Sequence, residues 1–189
     1  MFGAGEWYAR KYGMGSGRRR TWRKLHLGVD ERTKEIVAVD LTLSGVHDRR
    51  WLPELLERTS GDLSQVSADK AYYSARCYEA VLARGAIPTI PPRRKARQSR
   101  CADPPPARAA RDEVLQRIKA KGRYGWRTAS GATRQSLAEN AVSRFKALVG
   151  VTLDYRSFRN QKTEARVKCQ ILNRMVRLGM PASERVPAP

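Results

Sequence analysis

The chain has 189 residues, of which 41% are hydrophobic, and its 38 Lys and Arg against 18 Asp and Glu give a formal net charge of +20. This size allows a buried core and fits one domain with appendages better than two full domains. The excess positive charge favours binding to polyphosphate, so nucleic acid is the leading partner. A ribosomal-type RNA binder accounts for the charge and for nothing else.

Cysteine spacing and hydropathy argue against several other classes of protein. Cys77, Cys101 and Cys169 are far apart and form no C-x-x-C pair, which argues against a zinc knuckle and a disulfide framework. No apolar stretch approaches the roughly 20 residues that span a bilayer, and the first five residues lack the apolar core of a signal peptide. We therefore expect a cytoplasmic protein with no membrane partner. The glycine-rich residues 1–20 are expected to form an exposed arm.

The first predicted element is an antiparallel hairpin. Leu25, Leu27 and Val29 alternate with polar or small residues, which is the period of a half-buried strand. A second strand follows the polar connection at 30–34. Its predicted inward residues are Val37, Val39, Leu41 and Leu43.

Shorter elements follow in order along the chain. Asp48 is a candidate cap for a helix with an apolar stripe at Trp51, Leu52, Leu55 and Leu56. Residues 63–68 predict a short buried strand that delivers Asp69 at its carboxyl end. Ser74 predicts the cap of a helix that runs to Arg84, and residues 86–90 predict another strand. Residues 91–111 are rich in proline and arginine and predict an inserted, mobile basic loop.

Three helices are predicted after this loop. The first covers residues 112–120. The second carries Glu139, with Leu137, Ala141, Phe145 and Leu148 on its apolar side. The third runs from about residue 163 to 178 and is expected to turn four apolar residues inward, namely Val167, Ile171, Met175 and Leu178.

Glu139 and Lys146 are candidate site residues because a spacing of seven places both on one face of an α-helix. Asp69 is a second acid, at a strand end. Carboxylates on two different elements suit a divalent ion such as Mg²⁺, which prefers oxygen ligands. The alternative is that both acids are surface residues that neutralise neighbouring arginines.

Three stretches and the end of the last helix resemble bacterial insertion-sequence transposases of the insertion-sequence-five family. They are 22–30 (WRKLHLGVD), 67–72 (SADKAY), 136–146 (SLAENAVSRFK) and 178–181 (LGMP). The resemblance extends over residues 3–181. It implies a DDE-class enzyme with an α/β, ribonuclease-H-like fold, in which a mixed sheet is flanked by helices and three acids hold Mg²⁺ or Mn²⁺.

Carried over by position, the resemblance makes Asp69 the second catalytic aspartate and Glu139 the catalytic glutamate, both as metal ligands. Lys146 matches the lysine of the family's Tyr-Arg-Glu-Lys signature and is expected to contact the transposon end. The signature's tyrosine and arginine are replaced by Ala132 and Gln135, although Arg134 is a partial substitute.

The resemblance also implies a missing part, because the family's first aspartate lies on a strand before the segment that begins at residue 3. The expectation is an amino-terminally truncated, defective copy without its first core strand. Residues 1–181 would be a partial catalytic domain and 182–189 a tail. Without that strand, the hairpin and the Asp69 strand would lack their shared neighbour and leave unpaired backbone edges.

Two functions follow: metal-dependent DNA cleavage and strand transfer, or a non-catalytic nucleic-acid-binding remnant. In both, the expected partners are transposon ends and target DNA in the bacterial cytoplasm and nucleoid, with self-association left open. The candidate DNA-binding residues are Lys146, Arg134, Arg144, Arg93, Arg94 and Lys95. His26 and His47 are given no catalytic role. Trp126 is expected to pack in the core, with base stacking as the alternative.

Overall fold

The structure is a computed structural model that describes residues 22–179, apart from the side chain of Gln135. This range contains four strands: β1 (Arg23–Val29), β2 (Ile36–Leu43), β3 (Gln65–Ser67) and β4 (Ile87–Thr89). It contains five α-helices: α1 (Leu52–Glu57), α2 (Ala75–Ala83), α3 (Pro106–Ser130), α4 (Ser136–Arg144) and α5 (Phe158–Leu178). The α/β class predicted from the sequence is confirmed. The predicted exposed arm at 1–20 and the tail at 182–189 lie outside the described residues.

The strands form two separate pairs. β1 and β2 are antiparallel, whereas β3 and β4 are parallel. The two pairs do not join within residues 22–179. The ribonuclease-H-like mixed sheet stays a prediction. The hairpin prediction is confirmed, with one register shift between Gly28 and Val29.

Both faces of the hairpin are covered, which corrects the expectation of a half-buried strand pair. Leu41 on the predicted apolar face is fully buried, but His26, Asp40 and Thr42 on the other face are at most 4% exposed. Conversely, two residues predicted to face inward are about half exposed, Val37 at 44% and Leu43 at 50%. The reason is that side chains from α1 and α5 cover the polar face.

Asp40 is the centre of that covered face. Its side chain is fully buried and pairs with Arg58 Nη1 at 2.8 Å and with Lys162 Nζ at 3.1 Å. Lys162 Nζ also lies over the rings of Trp51 and Phe158, 5.4 and 5.3 Å from their centroids. One carboxylate therefore joins β2, the residue that ends α1, and α5.

His26 lies on the same face, opposite Asp40 in the strand register. Its Nε2 is 2.8 Å from Thr42 Oγ1, and its ring is 6.3 Å from that of Trp51. Burial lowers the pKa of His26 and outweighs the opposing effect of Asp48 and Asp40. The imidazole is therefore held neutral as a packing group.

Four apolar clusters lie within residues 22–179, and the two largest hold the helices in place. One lies among α1, α2 and the segment around β4, and it includes Leu52, Tyr78, Val81 and Ile90. Here the predicted cap is confirmed, since Ser74 Oγ accepts from the Cys77 amide at 3.3 Å. The other core packs the hairpin against α4 and α5 through Ile36, Ala141, Phe145, Cys169 and Leu172.

The prediction of which α5 residues face inward is wrong. Val167, Ile171, Met175 and Leu178 are 47%, 48%, 45% and 70% exposed. The buried face instead includes two polar residues, Gln161 and Glu164. Gln161 accepts from Arg23 Nε and donates to the Tyr155 carbonyl, while Glu164 accepts the amides of residues 154 and 155. Polar side chains satisfied in this way can lie inside, so the hydrophobic pattern pointed to the wrong side.

The prediction that Leu148 faces inward is also wrong, because its side chain is 56% exposed. α4 ends at Arg144 and continues as a π-helix, Phe145–Val149. The wider π turn brings the residue four positions after Phe145 to the core, so Val149 packs there in place of Leu148.

The basic loop is shorter than predicted. Pro106 begins α3, at the first helical position that suits proline, so residues 106–111 are helical. α3 runs to Ser130 with a break at Gly122, and its buried residues include Trp126, only 3% exposed. Packing, the expectation for Trp126, is confirmed.

Replacing Asp40 by Asn should lower the free energy of unfolding by about 2–4 kcal/mol, because Arg58 and Lys162 would lose the charge that holds them against a buried face. Urea unfolding measures the change. Glu31→Gln, which breaks an exposed pair, is the control and should cost less than about 1 kcal/mol. Equal losses in both variants would contradict a central role for Asp40.

His26 should make stability depend on pH. Its pKa is lower in the folded than in the unfolded chain, so its stabilising effect is complete above the unfolded value of 6.5 and is lost as pH falls below it. The slope should reach at most about 1.4 kcal/mol per pH unit. His26→Gln should flatten this slope between about pH 6.5 and 5 in unfolding titrations. His47→Gln should keep it, and the opposite pattern would refute the assignment.

Candidate DNA-contacting site

Asp69 lies two residues after β3 and is exposed at the end of the parallel pair. It is the N-cap of the 3₁₀ turn Lys70–Tyr72, and its Oδ1 accepts the Ala71 amide at 2.7 Å. Its other oxygen has no hydrogen-bond partner among the described residues. Local capping therefore fixes the carboxylate and leaves one oxygen available to a ligand.

Asp48 is a carboxylate that sequence reasoning did not assign to the site. It does not cap α1 as predicted; it begins the 3₁₀ turn Asp48–Arg50 and pairs with Lys24 Nζ at 3.0 Å. The pKa of the Tyr72 phenol is raised, mainly by burial and further by the charges of Asp48 and Asp69. The 3₁₀ turns Asp48–Arg50 and Lys70–Tyr72 contact each other, so Asp48 lies in the same region as Asp69. The available signal was positional, because Asp48 follows β2 closely, as Asp69 follows β3.

Glu139 is exposed in the first turn of α4. Ala141 and Phe145 are buried against the hairpin and hold this helix in place. The Glu139 side chain makes no ion pair or hydrogen bond within the described part of the chain. It is thus presented to solvent on a helix anchored by its other face.

The described acids do not form a complete metal site. Asp69 and Glu139 supply the oxygen donors that Mg²⁺ and Mn²⁺ prefer. However, residues 22–179 contain no group of three or more His, Cys, Asp or Glu side chains that could hold a metal ion. The donor chemistry fits a divalent ion, but the described donor set is too small for two-metal phosphoryl chemistry.

Lys146 is exposed on the π turn. Because α4 ends at Arg144, regular α-helical spacing does not extend across both Glu139 and Lys146. The structure thus gives no support to the argument that a spacing of seven places them on one face.

Two of the predicted DNA-binding arginines contact the turn between β1 and β2. Arg134 Nη1 pairs with Glu31 Oε2 at 3.0 Å, and Arg144 Nη2 donates to the Lys34 carbonyl at 3.2 Å. These contacts tie the region around α4 to the hairpin turn. Sequence reasoning assigned both arginines to DNA and missed this structural contact, since the partners are more than 100 residues away.

The remaining predicted DNA-binding residues, Arg93, Arg94 and Lys95, are exposed in the loop before α3. Arg123 anchors this loop by donating to the carbonyls of Pro92 and Arg93, at 3.1 and 3.4 Å. The three side chains form no ion pair with any described residue, so their charges are available to an anionic partner.

A family model described as "Transposase DDE domain" matches residues 2–174, which is most of the chain. The chain belongs to this transposase family. No solved structure matches it. Membership confirms the DDE class that the sequence resemblance predicted and indicates a function in transposition. In the described part of this transposase domain, no helix is both long enough and apolar enough to cross a bilayer.

The contact between Arg134 and Glu31 allows a test that separates structure from DNA binding. Arg134→Glu alone should cost about 0.5–1 kcal/mol of stability, and adding Glu31→Arg should restore most of it, because the pair is re-formed with reversed charges. Urea unfolding measures both. If Arg134 also contacts DNA, the doubly exchanged protein should still bind duplex DNA more weakly than wild type, although its net charge is unchanged. If the doubly exchanged protein binds duplex DNA with wild-type affinity, Arg134 has only the structural role.

Proposed function

We propose that this transposase domain acts in metal-dependent DNA cleavage and strand transfer of an insertion sequence of the insertion-sequence-five type. Asp69 carries the proposal, because it is an exposed carboxylate at the end of β3 with one oxygen fixed by the Ala71 amide and the other available. Glu139 is the second acid. Neither acid forms an ion pair with a described residue, which argues against the alternative that they merely neutralise neighbouring arginines.

The proposed roles of the chain's own residues concern binding and orientation. Asp69 and Glu139 would hold Mg²⁺ or Mn²⁺ through their carboxylate oxygens. Such an ion, when bound, stabilises charge on a phosphodiester and activates the attacking oxygen. Capping keeps Asp69 in one orientation, and the buried side of α4 keeps Glu139 directed outward.

DNA would be held by exposed basic residues. Lys146 on the π turn and Arg93, Arg94 and Lys95 in the anchored loop are free to contact phosphates. Arg134 and Arg144 would approach DNA with the guanidinium donors that the hairpin turn does not use. A net charge of +20 would attract DNA to all of these surfaces.

A non-catalytic DNA-binding role is the second candidate. One observation favours it, namely that residues 22–179 contain no group of three or more His, Cys, Asp or Glu side chains that could hold a metal ion. Such a protein would keep the basic surfaces and bind DNA without cutting it. The two candidates differ in one measurable property, the dependence of strand cleavage on the acids.

Nicking and strand transfer on plasmid DNA with Mg²⁺ or Mn²⁺ test the catalytic proposal. Glu139→Gln and Asp69→Asn should each reduce the rate by roughly 100-fold or more, since each removes a ligand that supports transition-state charge stabilisation. DNA affinity should stay near the wild-type value. Glu113→Gln is the control, as it changes an exposed acid paired with Arg117 on α3, and it should leave the rate unchanged.

Equal nicking by wild type, Glu139→Gln and Asp69→Asn would remove the catalytic proposal. Retained DNA binding in the same preparations would then support the non-catalytic role. Loss of DNA binding in all three would contradict both candidates.

A further inference from the structure

An exposed aromatic ring lies next to the break in α3. Gly122 has φ 70° and ψ 166°, a conformation that side-chain-bearing residues rarely adopt, and it divides the helix into two segments. Tyr124, two residues later, is 84% exposed, more than any other large hydrophobic residue in the described range. Tyrosine rings usually bury much of their surface. A ring held out at a fixed break is available to a flat ligand.

Unpaired positive charges lie next to this ring in the sequence. Arg127 is three residues after Tyr124, so the two share a face of the second helical segment. Lys121 immediately precedes the break. Both cations are exposed, and neither forms an ion pair with a described residue. The ring thus lies within a positively charged stretch.

A second group of cations is held near the break. Arg123, between Gly122 and Tyr124, donates to the carbonyls of Pro92 and Arg93 at 3.1 and 3.4 Å. These bonds fix the start of the basic loop beside the second segment of α3. We call the combined surface the kink patch, and it comprises Arg93, Arg94, Lys95, Lys121, Tyr124 and Arg127.

We propose that the kink patch binds an unpaired nucleic-acid strand, with the cations on phosphates and one base stacked on Tyr124. Cations alone would suit any polyanion, including duplex DNA or an acidic peptide. The exposed ring distinguishes the ligand, because it offers a stacking surface that only an unstacked base can use. Duplex bases are already stacked on one another, and the Asp and Glu side chains of an acidic peptide have no aromatic ring to stack.

This binding needs neither Asp69 nor Glu139. It can therefore hold or fail independently of the proposed cleavage. The Asp69 and Glu139 variants should therefore bind the single strand like wild type, even where they no longer nick DNA. Weaker strand binding by a Tyr124 variant would say nothing about the roles of the two acids.

Fluorescence anisotropy with the full chain and a labelled 20-nucleotide oligothymidylate tests the proposal. Tyr124→Ala should weaken binding roughly 10-fold, because the stacking of one base on the ring would be lost. Tyr124→Phe should bind within about twofold of wild type, as it keeps the ring. Tyr155→Ala is the matched control, since it removes another exposed tyrosine, and it should have no effect.

Three further probes separate stacking from charge. A 20-base-pair duplex and an abasic strand of the same length should bind wild type and Tyr124→Ala equally. A 2-aminopurine placed in the strand should be quenched by wild type and Tyr124→Phe but not by Tyr124→Ala. Lys121→Ala should instead weaken all probes and lower the salt slope for the single strand by about 0.7.

Three results would overturn the proposal. One is equal affinity of wild type and Tyr124→Ala for oligothymidylate. Another is an equal loss on the duplex and the abasic strand, which would make Tyr124 a structural residue. The third is displacement of oligothymidylate by polyglutamate at equal or lower concentration, which would indicate an acidic protein partner. Far-UV circular dichroism of each variant confirms that the fold is retained.

Discussion

The buried carboxylate of Asp40 is the constraint on which the described fold depends. A charge removed from water needs close compensation, and Asp40 receives it from Arg58 after α1 and from Lys162 on α5. Neither cation is near Asp40 in the sequence. The folded chain must therefore bring both cations to the hairpin. Their pairing with Asp40 places α1 and α5 against β2.

Lys162 shows why this pairing also orders its surroundings. Its ammonium lies near the Asp40 carboxylate and within 5.4 Å of the ring centroids of Trp51 and Phe158. The charge thus contacts an anion and lies over two aromatic rings. The polar side of the hairpin is consequently as well covered as the apolar side. The other hairpin side remains free to hold α4, which carries Glu139.

The elements predicted correctly are those that local sequence determines. The alternation at 25–29 and the Ser74 cap involve residues within a few positions of one another, and both are seen in the structure. The errors arise where distant contacts decide. Gln161 and Glu164 are inside because the Arg23 side chain, 138 residues before Gln161, and backbone groups of the loop before α5 satisfy them, and no hydrophobic pattern contains that information. The π turn after Arg144 likewise depends on how Phe145 and Val149 pack.

The candidate site, like the fold, could be predicted only where local sequence determines it. The positions of Asp69 and Glu139, at a strand end and on a helix, could be read from the sequence. The contacts of Arg134 and Arg144 with the hairpin turn could not, since the partners are separated by 103 and 110 residues. These contacts limit the directions that both arginines can take toward DNA. Lys146 and the anchored loop are not restricted in this way, so an anionic strand would meet these cations without first breaking an internal bond.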